Sequence, residues 1–409
     1  MKPTPTITDK PLRLADCASL KEALDYAAKG ETGVNFYEKD GQLKAVLSYA
    51  QLRDEAQTLA QRLLSLRPKP GARVALVAET DPYFLRFFFA CQYAGLVPVP
   101  LPISVHLGGS AAFVAQLHRL LTDCRAELAV APDGYLAHLK EAAGGLNLTF
   151  CGSPGDYDDL PVEKTRPPVS TSKELAYLQY TSGSTRFPRG VMITQENVMT
   201  NLSIMIRDGL KIRRGDRGMS WLPLYHDMGL VGFVLGALAA QMSVDYLSPM
   251  NFVMRPRLWL TLMSQNKATI SFSPPLGYEL ALSRMKKEHI EALDLSSWRV
   301  AGVGAEPIRI KPLHRFAEIL KPCGFDQKAF VAGYGMAETS LAVSFSQLGQ
   351  GLNQDYIDPE YLVQFQAATP CDMGVSDHAI GAKNFVNCGE PLPGYEIQIR
   401  NNRGRELPE

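Results

Sequence analysis

The sequence of 409 residues lacks the features of several common protein classes. It has no excess charge of either sign, because 42 lysines and arginines balance 42 aspartates and glutamates. This balance argues against binding nucleic acid or a membrane surface through a basic field. The seven cysteines include no CxxC pair and no Cys/His cluster with zinc spacing, which argues against a metal–thiolate site. Scattered cysteines of odd number are typical of reduced thiols, so we expect a cytoplasmic protein.

Long hydrophobic runs are also scarce. Residues 87–105 carry no charge, but three prolines and a glycine interrupt them. Residues 229–244 are uncharged for 16 positions, which is short of the roughly 20 that a spanning helix needs. The first residues have no apolar segment of the signal-peptide type. The sequence therefore predicts buried core helices at both places, and it does not predict an integral membrane protein.

The chain does contain a regular alternation of strand-like and helix-like segments. RVALVAE (73–79) predicts a buried strand, and residues 81–95 predict an apolar helix that ends at Gly95. The next strand is predicted at 96–101, and similar units recur along the chain to about residue 335. Alternation of this kind predicts an α/β fold with mostly parallel sheets and crossover helices.

Changes in composition divide this pattern. A stretch rich in proline, serine and aspartate predicts a linker, so we place a first subdomain at 1–172 and a second at 173–345. Residues 346–382 contain five acidic residues and no lysine or arginine, with little periodicity. Residues 383–409 alternate like a β-hairpin with a turn near Asn401–Gly404. We expect this last segment to start a β-barrel-like subdomain.

The most distinctive stretch is QYTSGSTRFPRGV at 179–191, which we call the glycine-rich loop. It follows a predicted strand directly and offers backbone amides, hydroxyl groups and two arginines, the groups that surround a phosphate. It does not fit the G-x-x-x-x-G-K-[ST] pattern, because Gly183 and Gly190 are too far apart and no Lys-Ser or Lys-Thr follows. Thr194 is a suitable N-cap for a helix beginning at Gln195. Composition alone leaves open a phosphate site or a flexible surface loop.

Three further motifs follow in order: WLPLYHDMGL (221–230), GVGAEPI (302–308) and GYGMAETS (333–340). Together with the glycine-rich loop, they resemble the motifs of the adenylate-forming superfamily, which contains acyl-CoA synthetases, amino-acid adenylation domains and luciferases. Four motifs in the same order are more specific than any one of them. The resemblance implies two stacked α/β subdomains, with ATP and Mg²⁺ as cofactors.

The resemblance also implies that the glycine-rich loop holds the β and γ phosphates of ATP. Arg189 stands where the family has lysine, so it keeps the catalytic positive charge and adds a planar fork for phosphate oxygens. Arg186 replaces a family glycine, and it either adds a second cation or pairs with an acidic residue. The implied phosphate-binding residues are Thr181, Ser182, Gly183, Ser184, Thr185, Arg186 and Gly190.

The last two motifs imply residues for adenine and for magnesium. Tyr334 would stack on adenine, although a core tyrosine is an alternative interpretation. Glu338 would hold Mg²⁺ together with Thr185 or Thr181, because that ion prefers hard oxygen ligands. A carboxylate at a helix N-terminus is favourable without any metal, so that alternative also stays open. The implied adenine-binding residues are Gly304, Ala305, Glu306, Tyr334, Gly335, Met336 and Ala337.

The motif around His226 implies a site for the carboxylate of the substrate. The resemblance makes His226 a catalytic residue beside that carboxylate, where it orients the group or gates an acyl tunnel. The apolar residues nearby suit a long acyl chain, while simple core packing is the alternative for each of them. The predicted acyl-pocket residues are Met228, Gly229, Leu230, Phe233 and Tyr278.

Within the superfamily, the motifs are most similar to those of the fatty acyl-AMP ligases. These enzymes activate fatty acids as acyl-adenylates and transfer the acyl group to an acyl carrier protein rather than to coenzyme A. Residues 346–382 lie where that branch has an insertion, and a connection this long without structure of its own is uncommon. An acyl-CoA synthetase and a non-catalytic acyl- or nucleotide-binding module are the alternative functions.

Some segments of the family do not occur in these 409 residues. The family has a TGD segment whose aspartate binds ribose, and a small carboxy-terminal domain with a catalytic lysine, and neither is found before Glu409. We therefore expect the chain to correspond to the large N-terminal domain, and to turn over slowly or not at all by itself.

Overall fold

The structure is a computed structural model that describes residues 1–103, 109–164, 171–181, 188–283, 285–365, 368 and 383–407. The strands are β1 (Gly33–Tyr37), β2 (Leu43–Ser48), β3 (Arg73–Val77), β4 (Val97–Leu101), β5 (Ala126–Val130), β6 (Phe150–Gly152), β7 (Leu175–Tyr180), β8 (Gly190–Thr194), β9 (Arg217–Ser220), β10 (Ser243–Leu247), β11 (Ile270–Ser273), β12 (Val300–Val303), β13 (Phe330–Gly335), β14 (Ala342–Phe345), β15 (Gln354–Ile357), β16 (Lys383–Val386) and β17 (Glu390–Pro391). The α-helices are α1 (Leu20–Ala27), α2 (Tyr49–Ser65), α3 (Pro82–Ala94), α4 (Gly109–Cys124), α5 (Asp133–Ala142), α6 (Pro154–Asp158), α7 (Gln195–Ile204), α8 (Gly236–Ala239), α9 (Pro249–Met254), α10 (Arg257–Gln265), α11 (Pro275–Ser283), α12 (Lys287–Glu291), α13 (Ile310–Leu320) and α14 (Pro359–Phe365). Two π-helical segments span Met205–Gly209 and Met228–Leu235.

The larger sheet has nine strands in the order β17–β14–β13–β12–β11–β9–β10–β1–β2. Its central strands are parallel, and β2, β14 and β17 pair antiparallel towards the edges. The strands β1 and β2 come early in the chain, yet β1 pairs with β10, with Val34 opposite Val244. The predicted boundary at 172 therefore does not separate the two sheets, because pairing at this sequence separation is set by tertiary packing.

The smaller sheet has the order β4–β3–β5–β6 and is parallel throughout. This arrangement confirms the predicted alternation of strands and helices around residues 73–101. The helix α3 begins where the side chain of Asp81 accepts a hydrogen bond from the amide of Tyr83 at 3.1 Å. It ends at Gly95, whose φ of 67° lies in the left-handed region that favours glycine. The predicted end of this helix at Gly95 is confirmed.

The glycine-rich loop is the connection of a separate antiparallel hairpin formed by β7 and β8. Tyr180 lies opposite Gly190, so the intervening residues join two neighbouring strands. Parallel strands need a crossover of about a dozen residues or more. The connection between Tyr180 and Gly190 is shorter than that, so β7 and β8 pair antiparallel. The hydroxyl of Thr194 accepts a hydrogen bond from the amide of Asn197 at 3.1 Å, which confirms the predicted N-cap of α7.

The segment after residue 345 has more structure than its sequence predicts. The strands β15 and β16 form an antiparallel pair in which Gln354 lies opposite Val386, and α14 follows β15. The predicted boundary at 382 falls between the two strands of this pair. The strand β17 joins the nine-stranded sheet rather than a separate β subdomain. The turn predicted near Asn401–Gly404 is confirmed, since the amide of Asn401 donates to the carbonyl of Arg405 at 2.8 Å.

A buried ion pair ties the first residues of the chain to the nine-stranded sheet. Arg217 on β9 donates from Nε and Nη2 to the two carboxylate oxygens of Asp245 on β10, at 2.7 and 2.6 Å. Its third nitrogen, Nη1, donates to the carbonyl of Thr4 at 2.8 Å. Asn35 on β1 completes the network by donating to Asp245 at 2.9 Å and accepting from the amide of Thr4 at 2.8 Å. The network therefore joins three strands and the N-terminal segment.

The described residues of the two uncharged runs are mostly buried. Residues 229–244 form most of the second π-helical segment, α8 and the start of β10, and nearly all of these positions are buried. Residues 87–105 contain the end of α3 and the strand β4, so the predicted helix covers only their first part. Among the described helices, none combines the length and the hydropathy that crossing a membrane requires.

Candidate active site

A cavity of about 470 Å³ lies between the nine-stranded sheet and the β7–β8 hairpin. Its mouth is polar, with hydroxyl, carboxylate, imidazole and guanidinium groups and several backbone segments. Its interior is lined by aliphatic, methionine and phenylalanine side chains. The polar lining residues are Tyr180, Thr181, Arg189, His226, Asp227, Tyr334 and Glu338.

Twelve of the predicted site residues line this cavity, although they lie far apart in the sequence: Thr181, Arg189, His226, Met228, Phe233, Gly304, Ala305, Tyr334, Gly335, Met336, Ala337 and Glu338. The convergence joins all four sequence motifs at one place. Five predicted phosphate or metal residues lie outside the described part of the chain, and these are Ser182, Gly183, Ser184, Thr185 and Arg186.

The prediction that Tyr278 belongs to the acyl pocket is wrong. Its side chain is fully buried in a hydrophobic core, against Trp259 and Phe316, and its hydroxyl donates to the carbonyl of Gly302 at 2.8 Å. The sequence could not show that α11 turns this residue away from the cavity.

Four other predicted residues support the cavity without lining it. A Cβ atom on Gly229 would lie 2.2 Å from the carbonyl oxygen of Pro223, so this glycine permits a close backbone approach. Leu230 is fully buried in a hydrophobic core. Glu306 accepts a hydrogen bond from the amide of Leu276 at 3.3 Å. Gly190 lies in β8, where a Cβ atom would lie 2.7 Å from the side chain of Leu178.

The hairpin fixes the side of the mouth that carries Thr181 and Arg189. The amide of Thr181 donates to the carbonyl of Arg189 at 3.0 Å, and the amide of Arg189 donates to the Thr181 hydroxyl at 3.3 Å. Tyr180 anchors the hairpin to α4, because its hydroxyl donates to Asp123 at 2.6 Å. The exposed guanidinium of Arg189 makes no ion pair with an acidic residue of the described ranges. Its charge is therefore available to an anionic ligand.

His226 lies at the point where the polar mouth meets the apolar interior. Its Nδ1 is 2.7 Å from Oδ1 of Asp227 and 3.3 Å from the amide of Met228. The same Asp227 oxygen accepts from that amide at 2.7 Å, so we assign Nδ1–H as the donor to Asp227. From behind, the side chain of Gln179 on β7 donates to the carbonyl of Tyr225 at 2.7 Å. These bonds orient the imidazole and leave Nε2 for a ligand in the cavity.

The opposite wall is made largely of backbone. A Cβ atom on Gly304 would lie 2.5 Å from the carbonyl oxygen of Gly333, and one on Gly335 would lie 1.9 Å from that of Leu341. Ala305 has a φ of 67°, which is uncommon for a residue with a side chain. Tyr334 is 49% exposed and lines the cavity, so it is not a core tyrosine. A flat aromatic ligand fits this combination of bare backbone and an accessible phenol ring.

Glu338 presents its carboxylate at the mouth from a single 3-10 turn, Ala337–Thr339, between β13 and β14. It is exposed and makes no ion pair within the described residues. The turn is not the start of an α-helix, so a helix N-terminus does not explain this carboxylate. No group of three or more histidine, cysteine or acidic residues within the described ranges could enclose a metal by itself. Glu338 therefore suits an ion that takes its remaining ligands from a substrate and water, as Mg²⁺ does.

The apolar interior was only partly predicted from the sequence. Met228 and Phe233 were predicted, and the structure adds Gly232 and Gly236 from the same helical stretch. A larger set comes from distant segments that carry no recognisable motif. These additional apolar lining residues are Met205, Ile206, Leu210, Ile212, Ala240, Met242, Ile270, Phe272, Val303, Leu341, Ala342 and Phe345. The only sequence signal for the first four is the apolar spacing in IMIRDGLKI, which equally fits an ordinary buried helix.

Both π-helical segments line this interior. The first supplies Met205 and Ile206, and the second supplies Met228, Gly232 and Phe233. π-Helical turns are rare and occur frequently at functional sites. A Cβ atom added to Gly232 would make only an ordinary van der Waals contact, with Leu341 at 3.6 Å. At this position the second segment therefore presents a surface without a side chain to the cavity.

Comparisons with known proteins agree with this arrangement. A family model for AMP-binding enzymes matches residues 42–409. A Caulobacter vibrioides protein provisionally named acyl-CoA synthetase is 45% identical over 407 residues, which cover 99% of this chain and 70% of that protein. A medium-chain fatty acid–[acyl-carrier-protein] ligase of Moorena producens is 31% identical over 389 residues, which cover 94% of this chain and 63% of that protein.

A solved structure of a related enzyme is also similar to this chain. It comes from a study of fatty acyl-adenylate ligases from E. coli and L. pneumophila and matches with a TM-score of 0.93 at 46% identity. The match covers 98% of this chain and 71% of that one. The chain thus spans between 63% and 71% of the length of these three proteins.

Proposed function

The chain belongs to the family of AMP-binding enzymes, and from this premise we propose that it activates a fatty acid with ATP. The products of the proposed reaction are a fatty acyl-adenylate and pyrophosphate. The thiol of an acyl carrier protein then takes the acyl group as a thioester, while the acyl–phosphate bond breaks and AMP leaves. The similarity to a fatty acyl-adenylate ligase structure and to an acyl-carrier-protein ligase supports these two steps in turn.

The observation that carries the proposal is the division of one cavity into a polar mouth and an apolar interior. Thr181, Arg189 and Glu338 surround the mouth, where a nucleotide triphosphate would bind. The interior is lined by side chains that offer no hydrogen-bonding group, such as Met205, Ile206 and Phe272. An unbranched hydrocarbon chain is the ligand that such an interior suits, because burial of each methylene is favourable by about 0.8 kcal/mol. His226 lies between the two regions, where the carboxylate of that chain would meet the nucleotide.

In the proposed reaction, a carboxylate oxygen attacks the α-phosphorus of ATP while the bond from that phosphorus to the pyrophosphate oxygen breaks. Both reactants are anions, so the protein must chiefly neutralise charge and align the two groups. Arg189 places a cation beside the phosphates, and Thr181 adds a hydroxyl there. His226, held by Asp227, lies beside the carboxylate. The adenine lies against the backbone at Gly304 and Gly335, beside Tyr334.

Magnesium fits the residues that are present. Glu338 would hold the ion together with phosphate oxygens, and the bound ion would offset charge on the phosphates. The second proposed protein ligand, Thr185, lies outside the described residues. The cytoplasm is the proposed location, on the basis of the scattered thiols in the sequence.

An acyl-CoA synthetase is the second candidate, and the relative from C. vibrioides favours it. The two candidates share the adenylation step and differ in the thiol that receives the acyl group. Offering the acyl-adenylate formed by the protein to coenzyme A and to a phosphopantetheinylated carrier protein distinguishes them. Transfer to coenzyme A alone would refute the carrier-protein proposal.

The adenylation step is tested by the exchange of labelled pyrophosphate into ATP, measured with and without decanoate. We expect exchange that requires the acid and that falls strongly in His226→Ala. The control is His314→Ala, because His314 lies on α13 and does not line the cavity. Nucleotide binding without exchange for acids of any length would instead support a non-catalytic binding module.

A further inference from the structure

The turn that carries Glu338 contains a strained residue. Ser340 is buried and has φ 70° and ψ −54°, a conformation that residues with side chains rarely adopt. Strain of this kind persists only where the surrounding structure imposes it. The contacts around Ser340 therefore determine where the neighbouring carboxylate points.

Bonds within the turn close it but do not place it in the cavity. The amide of Ser340 donates to the carbonyl of Ala337 at 2.9 Å, and that of Thr339 donates to Met336 at 3.1 Å. The amide of Met336 donates to Leu341 at 2.9 Å. All these partners move together if the turn shifts as a unit.

Two side chains from other parts of the chain hold the turn from outside. Asn201 on α7 is 1% exposed, and its amide group donates to the carbonyl of Ala342 at 2.8 Å and to the hydroxyl of Tyr395 at 2.7 Å. Its carbonyl oxygen accepts from the amide of Ala342 at 3.3 Å. The hydroxyl of Tyr395 in turn donates to the carbonyl of Thr339 at 3.3 Å. We call these two residues the Asn201–Tyr395 brace.

The brace attaches on both sides of Ser340, at Thr339 and at Ala342. Neither Asn201 nor Tyr395 lines the cavity. The helix that carries Asn201 begins directly after β8, the second strand of the glycine-rich hairpin. The brace therefore links the phosphate side of the mouth to the turn that carries the carboxylate.

We propose that Tyr395, acting with Asn201, is a positioning residue for Glu338. It fixes the distance between the Glu338 carboxylate and the phosphates, and so it sets how well the protein binds nucleotide as its magnesium complex. This inference rests on the proposed function, because it assumes that ATP occupies the mouth. Tyr395 itself contacts neither the nucleotide nor the metal.

The test measures ATP affinity by calorimetry, with and without Mg²⁺, for the 409-residue chain. The variants are Tyr395→Phe, Glu338→Gln and the combination of both. The control is Tyr26→Phe, since that hydroxyl also donates to a backbone carbonyl, that of Pro11, and Tyr26 does not line the cavity. A thermal unfolding curve accompanies each protein to show that it is folded.

We expect Tyr395→Phe to weaken binding of the magnesium complex about tenfold, equivalent to about 1.4 kcal/mol, and to leave magnesium-free binding unchanged. Glu338→Gln should show the same pattern, and the double variant should be no weaker than Glu338→Gln alone. Ser340→Gly, which allows the positive φ without strain, should restore part of the affinity to Tyr395→Phe.

Other results would overturn the inference. If Glu338→Gln weakens the magnesium complex and Tyr395→Phe does not, the positioning role falls while the proposed function stands. Equal losses of ATP affinity with and without Mg²⁺ would show a general loosening of the site and would contradict the positioning role. If Ser340→Gly restores none of the affinity that Tyr395→Phe loses, the loss does not arise from the strained turn, and the inference fails. A wild-type protein that binds no ATP would refute the proposed function and this inference with it.

Discussion

Replacing Gly232 by leucine should shorten the fatty acids that the protein accepts. Gly232 lines the apolar interior from the second π-helical segment, and an added Cβ would make only an ordinary contact with Leu341, at 3.6 Å. A leucine there can enter the cavity without displacing backbone. Its four side-chain carbons would occupy the space of about four methylenes of the substrate, each of which contributes about 0.8 kcal/mol when buried.

The expected loss for long acids is therefore about 3 kcal/mol, or about 200-fold in kcat/KM. Acids short enough to end before Gly232 should be unaffected, and so should the KM for ATP. The assay is acid-dependent pyrophosphate exchange over a series from butyrate to palmitate. Gly134→Leu is the matched control, because a side chain at Gly134 would meet open space and that residue is not in the cavity. An equal loss at all chain lengths, or no loss at any, would refute the assignment of this wall to the acyl chain.

Three further predictions concern single side chains. Arg189→Ala should raise the KM for ATP by about ten- to a hundredfold, because hydrogen bonds to charged groups contribute about 1.5–3 kcal/mol. An equal or larger increase in KM for Arg186→Ala would contradict the role of Arg189. Arg217→Met should lower the free energy of unfolding in urea by about 3–5 kcal/mol because it leaves the buried Asp245 carboxylate without an ionic partner, whereas Arg217→Met/Asp245→Leu should lose less. The amide of Ala18 and then Arg13 hold the pKa of Glu22 below its ordinary value, so its stabilisation is present near neutral pH and is lost as pH falls through that lowered pKa. Thermal unfolding temperatures of the wild type and Glu22→Gln should therefore differ at pH 7 and converge in acid, and a constant difference would contradict this.

The residues that meet at the mouth were predictable because the roles proposed for them constrain their identity. A phosphate, a metal and an adenine ring would require cations, hydroxyls, a carboxylate and bare backbone, and such requirements leave recognisable patterns such as GYGMAETS. Helix ends were predictable for a similar reason, since Gly95 and Thr194 perform local functions that do not depend on the rest of the chain.

The apolar wall was not predictable, because hydrophobic burial is non-directional and sets no requirement on a particular residue. Leu210 and Ile212 line the cavity, whereas Leu230 and Tyr278 face the core, and all four are buried apolar or aromatic residues. The order of strands in the sheet was not predictable for another reason. The strands β1 and β10 are far apart in the sequence, and no local sequence pattern indicates that they pair.

The network that joins Thr4, Asn35, Arg217 and Asp245 also constrains how the chain is made. Asn35 and Asp245 are 210 residues apart, so β1 has no partner on this side until β10 has left the ribosome. At about 5–20 residues per second, that interval is about 10–40 s. During this time the first two strands present an unpaired edge, and the nascent chain is exposed to misassembly for longer than its compact final form suggests. Four residues that do not line the cavity therefore influence the yield of folded protein.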